Sequence, residues 1–287
     1  MLLAELEYVR PATVDEGIRL LSERDNARAL AGGQTLLNVL KTRAASVDLL
    51  VDLAGLEELR AISLTADGML RLGAMVTYEE LMGSSEVDVA RPILAEVAAQ
   101  IADVQVRNRG TIGGNVCTSD PTNHFLPLLC ALGASFTVAG RQGGRTVAVE
   151  DFFHGVYVTA VGQGELLTEV AVPTRQPRQG DGFASVTIGK DGTCVVNAAA
   201  TVRLDGPIDS ARIAIGCVSA VPERASGMED ALRGAEPTEA AIRRAASGLG
   251  AKLDPPSDVH ATAEYRRHLA EVLAVRAVMQ AVERASF

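Results

Sequence analysis

The chain has 287 residues, of which 47% are hydrophobic, 22% charged and 3% aromatic, with no tryptophan. This excludes a mainly disordered protein, and the length favours two or three packed subdomains over a single core. Twenty-seven Lys and Arg against 36 Asp and Glu give a net charge of -9, a field that repels nucleic acid and anionic lipid, although Arg107 and Arg109 are placed to face a local anion.

From the N-terminus, residues 14–24 carry Ile18, Leu20 and Leu21 among charged positions, which predicts a helix capped by Thr13. Residues 27–31 predict a strand, Gly32 and Gly33 a turn, and residues 35–41 a second helix. Strands follow at 47–52 and 69–72, then a helix at 78–82 behind Thr77 and another at 92–102. The polar, glycine-containing run 104–115 predicts a surface loop opening onto the apolar segment 125–132. Residues 136–139 and 146–149 flank a hairpin turn at 141–144, and 166–172 is one more strand. Residues 173–182 hold two Pro, two Gly, two Arg and two Gln and predict a link to a separate subdomain. Beyond it, strands at 195–204 and 211–218 precede helices at 223–233, 239–249 and 263–284, an α+β order.

Two segments carry chemistry. Ala31, Gly32, Gly33, Gln34 and Thr35 set two residues without Cβ between a strand and a helix, where unpaired N–H groups can grip an anion. Thr111, Ile112, Gly113, Gly114 and Asn115 repeat that chemistry with a hydroxyl, a double glycine and an amide, and two such grips suit a diphosphate. Each segment alone also reads as an ordinary tight turn. Asp120 either accepts from a ribose hydroxyl or starts a turn with Pro121 and Thr122. Neither G-x-G-x-x-G nor a P-loop is present, so a Rossmann or triphosphatase site has no foothold.

Cys117, Cys130, Cys194 and Cys217 contain no CxxC pair, so neither a zinc nor an iron–sulfur ligand set is encoded, and free thiols in a reducing cytoplasm are expected. No apolar run reaches the roughly 18 residues that span a bilayer. The expectation is a soluble cytoplasmic protein without metal ligands or a catalytic acid–base set.

Residues 31–37 with Lys41, the run from Ile101 to Asn115, Asp151-Phe152-Phe153, Gly164 to Glu169 with Pro173, and Ala263 to Leu269 occur in an order that resembles the FAD-binding medium subunit of molybdenum hydroxylases, the carbon monoxide dehydrogenase and xanthine dehydrogenase family. The resemblance implies an α+β fold like that of the vanillyl-alcohol oxidase and p-cresol methylhydroxylase flavoproteins (PCMH/VAO type). Two α+β subdomains (1–56 and 57–176) would clamp FAD, and a C-terminal α+β subdomain (177–287), an antiparallel sheet with helices, would complete the pocket.

It also implies non-covalent FAD contacts from Ala31, Gly32, Gly33, Gln34, Thr35 and Leu36 and from Thr111, Ile112, Gly113, Gly114 and Asn115, with Ile101 and Asp120 nearby. His124 stands where relatives carry an acidic residue and is either a ribose or adenine contact or a locally bonded side chain. Leu167 either packs near the flavin or fills a strand core, and Lys190 either sits near flavin N1 or is a surface lysine. Cys194 falls where relatives often have an aromatic.

The function implied is an electron relay. A small subunit with two [2Fe-2S] clusters would feed this FAD, a large subunit would hold the molybdenum cofactor and the substrate, and the assembly would be a dimer of heterotrimers. A self-contained flavin oxidase or dehydrogenase is the rival reading, and an assembly subunit that has lost FAD is a third.

Overall fold

The computed structural model describes residues 2–189 and 192–286, so Lys190 lies outside the described residues. The chain opens with β1 (Glu7–Val9), α1 (Val14–Glu23), β2 (Ala27–Leu30), α2 (Leu36–Lys41) and β3 (Leu49–Asp52). The three strands are parallel in the order β1-β3-β2. Thr13 Oγ1 accepts from Glu16 N at 3.2 Å and starts α1, with Asp15 and Glu16 in the first turn. The central strand β3 is buried throughout, because Leu49 and Val51 point to Ile18 and Leu21 of α1 while Leu50 points to Leu40 of α2. A period of two thus gives a strand covered on both faces.

Next come β4 (Ile62–Leu64), β5 (Met69–Gly73), α3 (Tyr78–Gly83), α4 (Ser85–Ala90), α5 (Ile93–Ala98), α6 (Val104–Arg107), α7 (Ile112–Thr118) and α8 (Phe125–Leu132). They are followed by β6 (Ser135–Gly140), β7 (Gly143–Ala148), the small hairpin β8 (Phe153–Gly155) and β9 (Val158–Thr159), and β10 (Leu166–Pro173). Five of these strands make an antiparallel sheet ordered β4-β5-β10-β6-β7. Thr77 and Glu80 form a reciprocal capping box on α3.

The run 104–115 departs from the expected loop. Asp103 Oδ1 accepts from Val106 N at 2.8 Å and starts α6, and Thr111 Oγ1 accepts from Gly114 N at 3.0 Å and starts α7. The glycines that argue for a loop lie in the first turn of α7. A Cβ on Gly113 would stand 2.5 Å from Ala74 O, so the bare backbone serves close packing.

The remaining chain forms β11 (Gln179–Thr187), β12 (Cys194–Leu204), β13 (Ile208–Gly216), β14 (Glu223–Arg224), α9 (Ser226–Leu232), α10 (Glu239–Ala246) and α11 (Ala263–Ala285). Its sheet is antiparallel, ordered β11-β12-β13-β14. Two details differ from expectation. Strand β11 begins inside the run read as a link, so only residues 174–178 separate it from β10, and the segment 223–233 starts as a strand before turning helical.

Helix α11 lies so close on β11 that a Cβ on Gly182 would meet Ala277 O at 2.0 Å. Every residue of α8 is buried, and its core includes Phe183 of β11, Ala199 of β12 and Ala214 of β13 as well as Phe136, Val138 and Val170 of the five-stranded sheet. The same junction holds an ion pair. Arg91 Nη1 donates to Asp181 Oδ1 and Oδ2 at 2.6 and 2.7 Å, Arg91 Nε to Pro173 O at 2.6 Å, and the Thr201 hydroxyl to Asp181 Oδ1 at 2.7 Å. Both charged side chains are buried. The fold is α+β throughout, with helices packed on two larger antiparallel sheets and one small parallel sheet, and the β8–β9 hairpin as a further antiparallel pair.

Candidate functional site

Strand β2 delivers the first double-glycine segment, and β5 with α3 backs the second. The two touch. A Cβ on Gly32 would lie 2.1 Å from Arg109 O and 2.9 Å from Gly110 Cα, while one on Gly114 would lie 3.5 Å from Ala31 Cβ. Only glycine permits that approach. The bridge Thr77–Thr111 and the bonds Tyr78 N to Gly110 O and Ile112 N to Val76 O fix the second segment against α3.

Their backbones differ in what they leave open. Among the described residues, no protein acceptor meets the N–H groups of Gly32, Gly33, Gln34 or Thr35, and Thr35 makes no side-chain cap. Gln34 Nε2 donates back to Gly32 O at 3.0 Å, which braces the turn, and Gly33 has φ +73°. In the second segment the N–H groups from Ile112 to Asn115 are taken. Ile112 N bonds Val76 O, Gly113 N bonds Ala74 O, Gly114 N bonds Thr111 Oγ1 and Asn115 N bonds Thr111 O. What remains open there is the buried Asn115 Oδ1, which has no partner. Four adjacent donors, half-buried at Gly32 to Gln34 and exposed at Thr35, and one orphaned buried acceptor fit a ligand carrying both an anionic pyrophosphate and hydroxyl or N–H donors, as FAD does.

The other candidate residues spread around this core. Leu36 opens α2 and is half-buried. Ile101 is half-buried and packs against the core of the five-stranded sheet. Leu167 is buried in that core, directly before the bulge that separates Leu167 from Glu169. Thr168 O in that bulge accepts from Ala74 N at 3.0 Å, so Leu167 sits one strand away from the Gly113 contact. Asp120 lies past the C-terminus of α7, where Oδ1 accepts from Thr122 N at 2.9 Å and Thr122 Oγ1 at 2.8 Å. Its Oδ2 accepts from the hydroxyl of Tyr157, between β8 and β9, at 3.3 Å.

His124 is buried at the start of α8, with Nδ1 3.3 Å from Asn197 Nδ2 and its ring 5.3 Å from that of Phe183. Cys194 and Cys217 lie beside it, and hydrogen bonding from Cys217 makes Cys194 the more acidic of the two thiols against the opposing effect of burial. Asn197 and Cys217 are not legible as site neighbours in the sequence, because the register of β12 on β13 brings them there.

Charge near the first segment is mixed. The Tyr8 hydroxyl donates to Asp52, which raises the phenol pKa, while Arg10 and Arg109 draw it down. Asp52 pairs in register with Leu30, directly before the glycine turn. Arg107 does not face outward as an anion ligand. Its Nη1 donates to Ile101 O and Ala102 O at 3.0 and 2.9 Å. Burial raises the Tyr78 hydroxyl pKa, and a bond from the Asn115 side chain opposes it. Among the described residues no group of His, Cys, Asp or Glu is placed to hold a metal ion, and no helix is long and apolar enough to cross a membrane.

Comparison with known families resolves the ligand class. A family model described as the FAD binding domain in molybdopterin dehydrogenase matches residues 4–175, and one described as the CO dehydrogenase flavoprotein C-terminal domain matches residues 183–281. The chain belongs to this family of FAD-binding oxidoreductase subunits. It is 35% identical to the carbon monoxide dehydrogenase medium chain of Afipia carboxidovorans, covering 99% of each chain. It is 34% identical to the nicotine 6-hydroxylase medium subunit of Paenarthrobacter nicotinovorans, over 98% of this chain and 99% of the relative. Among solved structures, a chain of quinoline 2-oxidoreductase from Pseudomonas putida superposes with a TM-score of 0.95 at 34% identity, with full coverage of both chains.

Proposed function

We propose that this chain is the FAD-carrying relay subunit of a cytoplasmic molybdenum hydroxylase, assembled with a small [2Fe-2S] subunit and a large molybdopterin subunit as a dimer of heterotrimers. Bound FAD would supply the exchange between single-electron donors and a two-electron external acceptor. The observation that carries this reading is the extent of the match. The chain aligns over 99% of its length with 99% of a carbon monoxide dehydrogenase medium chain.

Within that role, the protein's work is binding and orientation. The free N–H groups of Gly32, Gly33, Gln34 and Thr35 would hold the pyrophosphate, with Ala31 and Leu36 shaping the loop. Asn115 Oδ1 would accept from a cofactor hydroxyl or N–H, and Thr111, Ile112, Gly113 and Gly114 would form the wall opposite. Ile101, Asp120, His124, Leu167 and Lys190 complete the proposed contact set. Subdomains 1–56 and 57–176 would clamp the cofactor, and 177–287 would close the site.

The test is to purify the chain with and without the products of neighbouring genes and to record flavin reduction by candidate substrates. The expected result is a flavin spectrum in both preparations and reduction by substrate only when both partner subunits are present. Substrate reducing the flavin of the isolated chain would instead indicate a self-contained flavin enzyme, and a chain without flavin in either preparation would indicate an assembly subunit.

A further inference from the structure

Ala102 has φ +39°, in the left-handed region that an alanine side chain disfavours. It precedes Asp103, the cap of α6, and follows Ile101. The side chain that bonds its carbonyl is Arg107. The guanidinium turns back across α6 so that Nη1 donates to both carbonyls of the arch, Ile101 O and Ala102 O, while its Nε is buried without a partner. A buried donor left unpaired is a cost that is tolerated where the rest of the group makes a needed contact.

The far end of the same element forms the wall of the first glycine loop. Helix α6 is a single turn, with Arg109 N and Gly110 N both bonded to Val106 O, at 3.1 and 2.6 Å. Arg109 O and Gly110 Cα are the atoms on which Gly32 rests. A displacement of the Ile101–Ala102 arch would therefore shift α6 and unseat the surface that keeps the N–H groups of Gly32 to Thr35 aligned.

We infer that Arg107 is a positioning residue for the cofactor, bracing the strained Ile101–Ala102 arch so that α6 and the Arg109–Gly110 wall stay seated against the first glycine loop. The inference rests on the FAD contacts proposed above. Without Arg107 the two carbonyls lose their donor and Ala102 relaxes out of the left-handed region, so the binding-competent arrangement becomes a minority state and the apparent dissociation constant rises by the inverse of its population.

The experiment is FAD titration of the full-length apo chain by flavin fluorescence quenching, with a redox titration of the loaded chain. Arg107→Met should weaken FAD binding about tenfold, and Arg107→Lys, which keeps charge and reach but not the planar fork, should fall between it and wild type. Ala102→Gly placed in the Arg107→Met background should restore most of the affinity, because glycine adopts the left-handed conformation without a brace. A role in global stability alone would leave that rescue absent and the flavin potential unchanged.

Wild-type affinity in Arg107→Met, or no rescue by Ala102→Gly, overturns the inference while leaving the cofactor site intact. Should Arg107→Met not fold, the Lys variant with and without Ala102→Gly carries the same comparison. A wild-type chain that binds no FAD overturns the site reading and the inference with it.

Discussion

Gly32 and Gly33 are adjacent but constrained by different forces. At Gly32 an added methyl meets backbone, Arg109 O at 2.1 Å, and no rotamer change relieves it. At Gly33 the obstacle is the tip of Leu37, 2.9 Å away, together with φ +73°. Gly32→Ala should therefore destabilise by roughly 1–3 kcal/mol or more, as overpacking does, and abolish cofactor retention. Gly33→Ala should cost roughly 1–2 kcal/mol, the penalty of left-handed backbone, and retain weakened binding. Urea midpoints and bound flavin per chain measure both, and equal effects at the two positions would contradict the contact geometry. The double glycines are visible in the sequence as special, yet the reason differs at each. Which N–H groups stay free depends on Val76 and Ala74, residues about 36 to 39 positions upstream of the second segment, so it could not be read locally.

Between elements, the buried pair Arg91–Asp181 joins the end of α4 to β11. Removing one partner strands a buried charge, so Arg91→Met should lower stability by about 3–5 kcal/mol, whereas Arg91→Met with Asp181→Leu should recover much of the loss. A double-mutant cycle on denaturant midpoints checks this, and additive losses would sink it. Nothing in the sequence marks these two residues as partners, since 90 positions separate them.

A second tie has a pH signature. Asp258 accepts from the backbone N–H groups of His260 and Ala261 and from Arg266 Nη2 of α11, which lowers its carboxyl pKa to about 2. A depressed folded pKa gives stability that is complete above the unfolded value near 3.8 and is lost as pH falls through the folded one. Stability should therefore decline between about pH 4 and pH 2, and Asp258→Asn should flatten the profile in that window. Midpoints measured across the range decide it. Helix α11 and its apolar face are legible from periodicity alone, but the carboxylate that anchors it is not.

At the scale of the whole molecule, α8 joins two sheets. The apolar run 125–132 is plain in the sequence, and its burial on every side is what a helix without a polar stripe requires. A chain ending at residue 176 would expose the side of α8 that faces Phe183, Ala199 and Ala214 and leave Arg91 unpaired. Such a fragment should bind a hydrophobic dye and unfold without cooperativity, and a monomeric, cooperatively folded fragment would show that the cores are separable. The α+β succession follows from pattern, but the order of strands within each sheet does not. The short helices α6 and α7 do not either, because elements of four and seven residues are set by caps and by close packing rather than by hydrophobic period.

The unequal pairing of the two glycine segments bears on how the subunit is made. In the wall at Thr111–Asn115 the N–H groups of Ile112 to Asn115 are bonded within the protein while Asn115 Oδ1 is not, so its backbone takes its shape during folding without help from a ligand. The open donors of Gly32–Thr35 lie on the other side, half-buried at Gly32 to Gln34 and exposed at Thr35, where water can serve them in the absence of a ligand. If these donors hold the flavin as proposed, synthesis and flavin loading should be separable events, and a cell short of riboflavin should accumulate finished subunits that await their cofactor rather than misfolded chains.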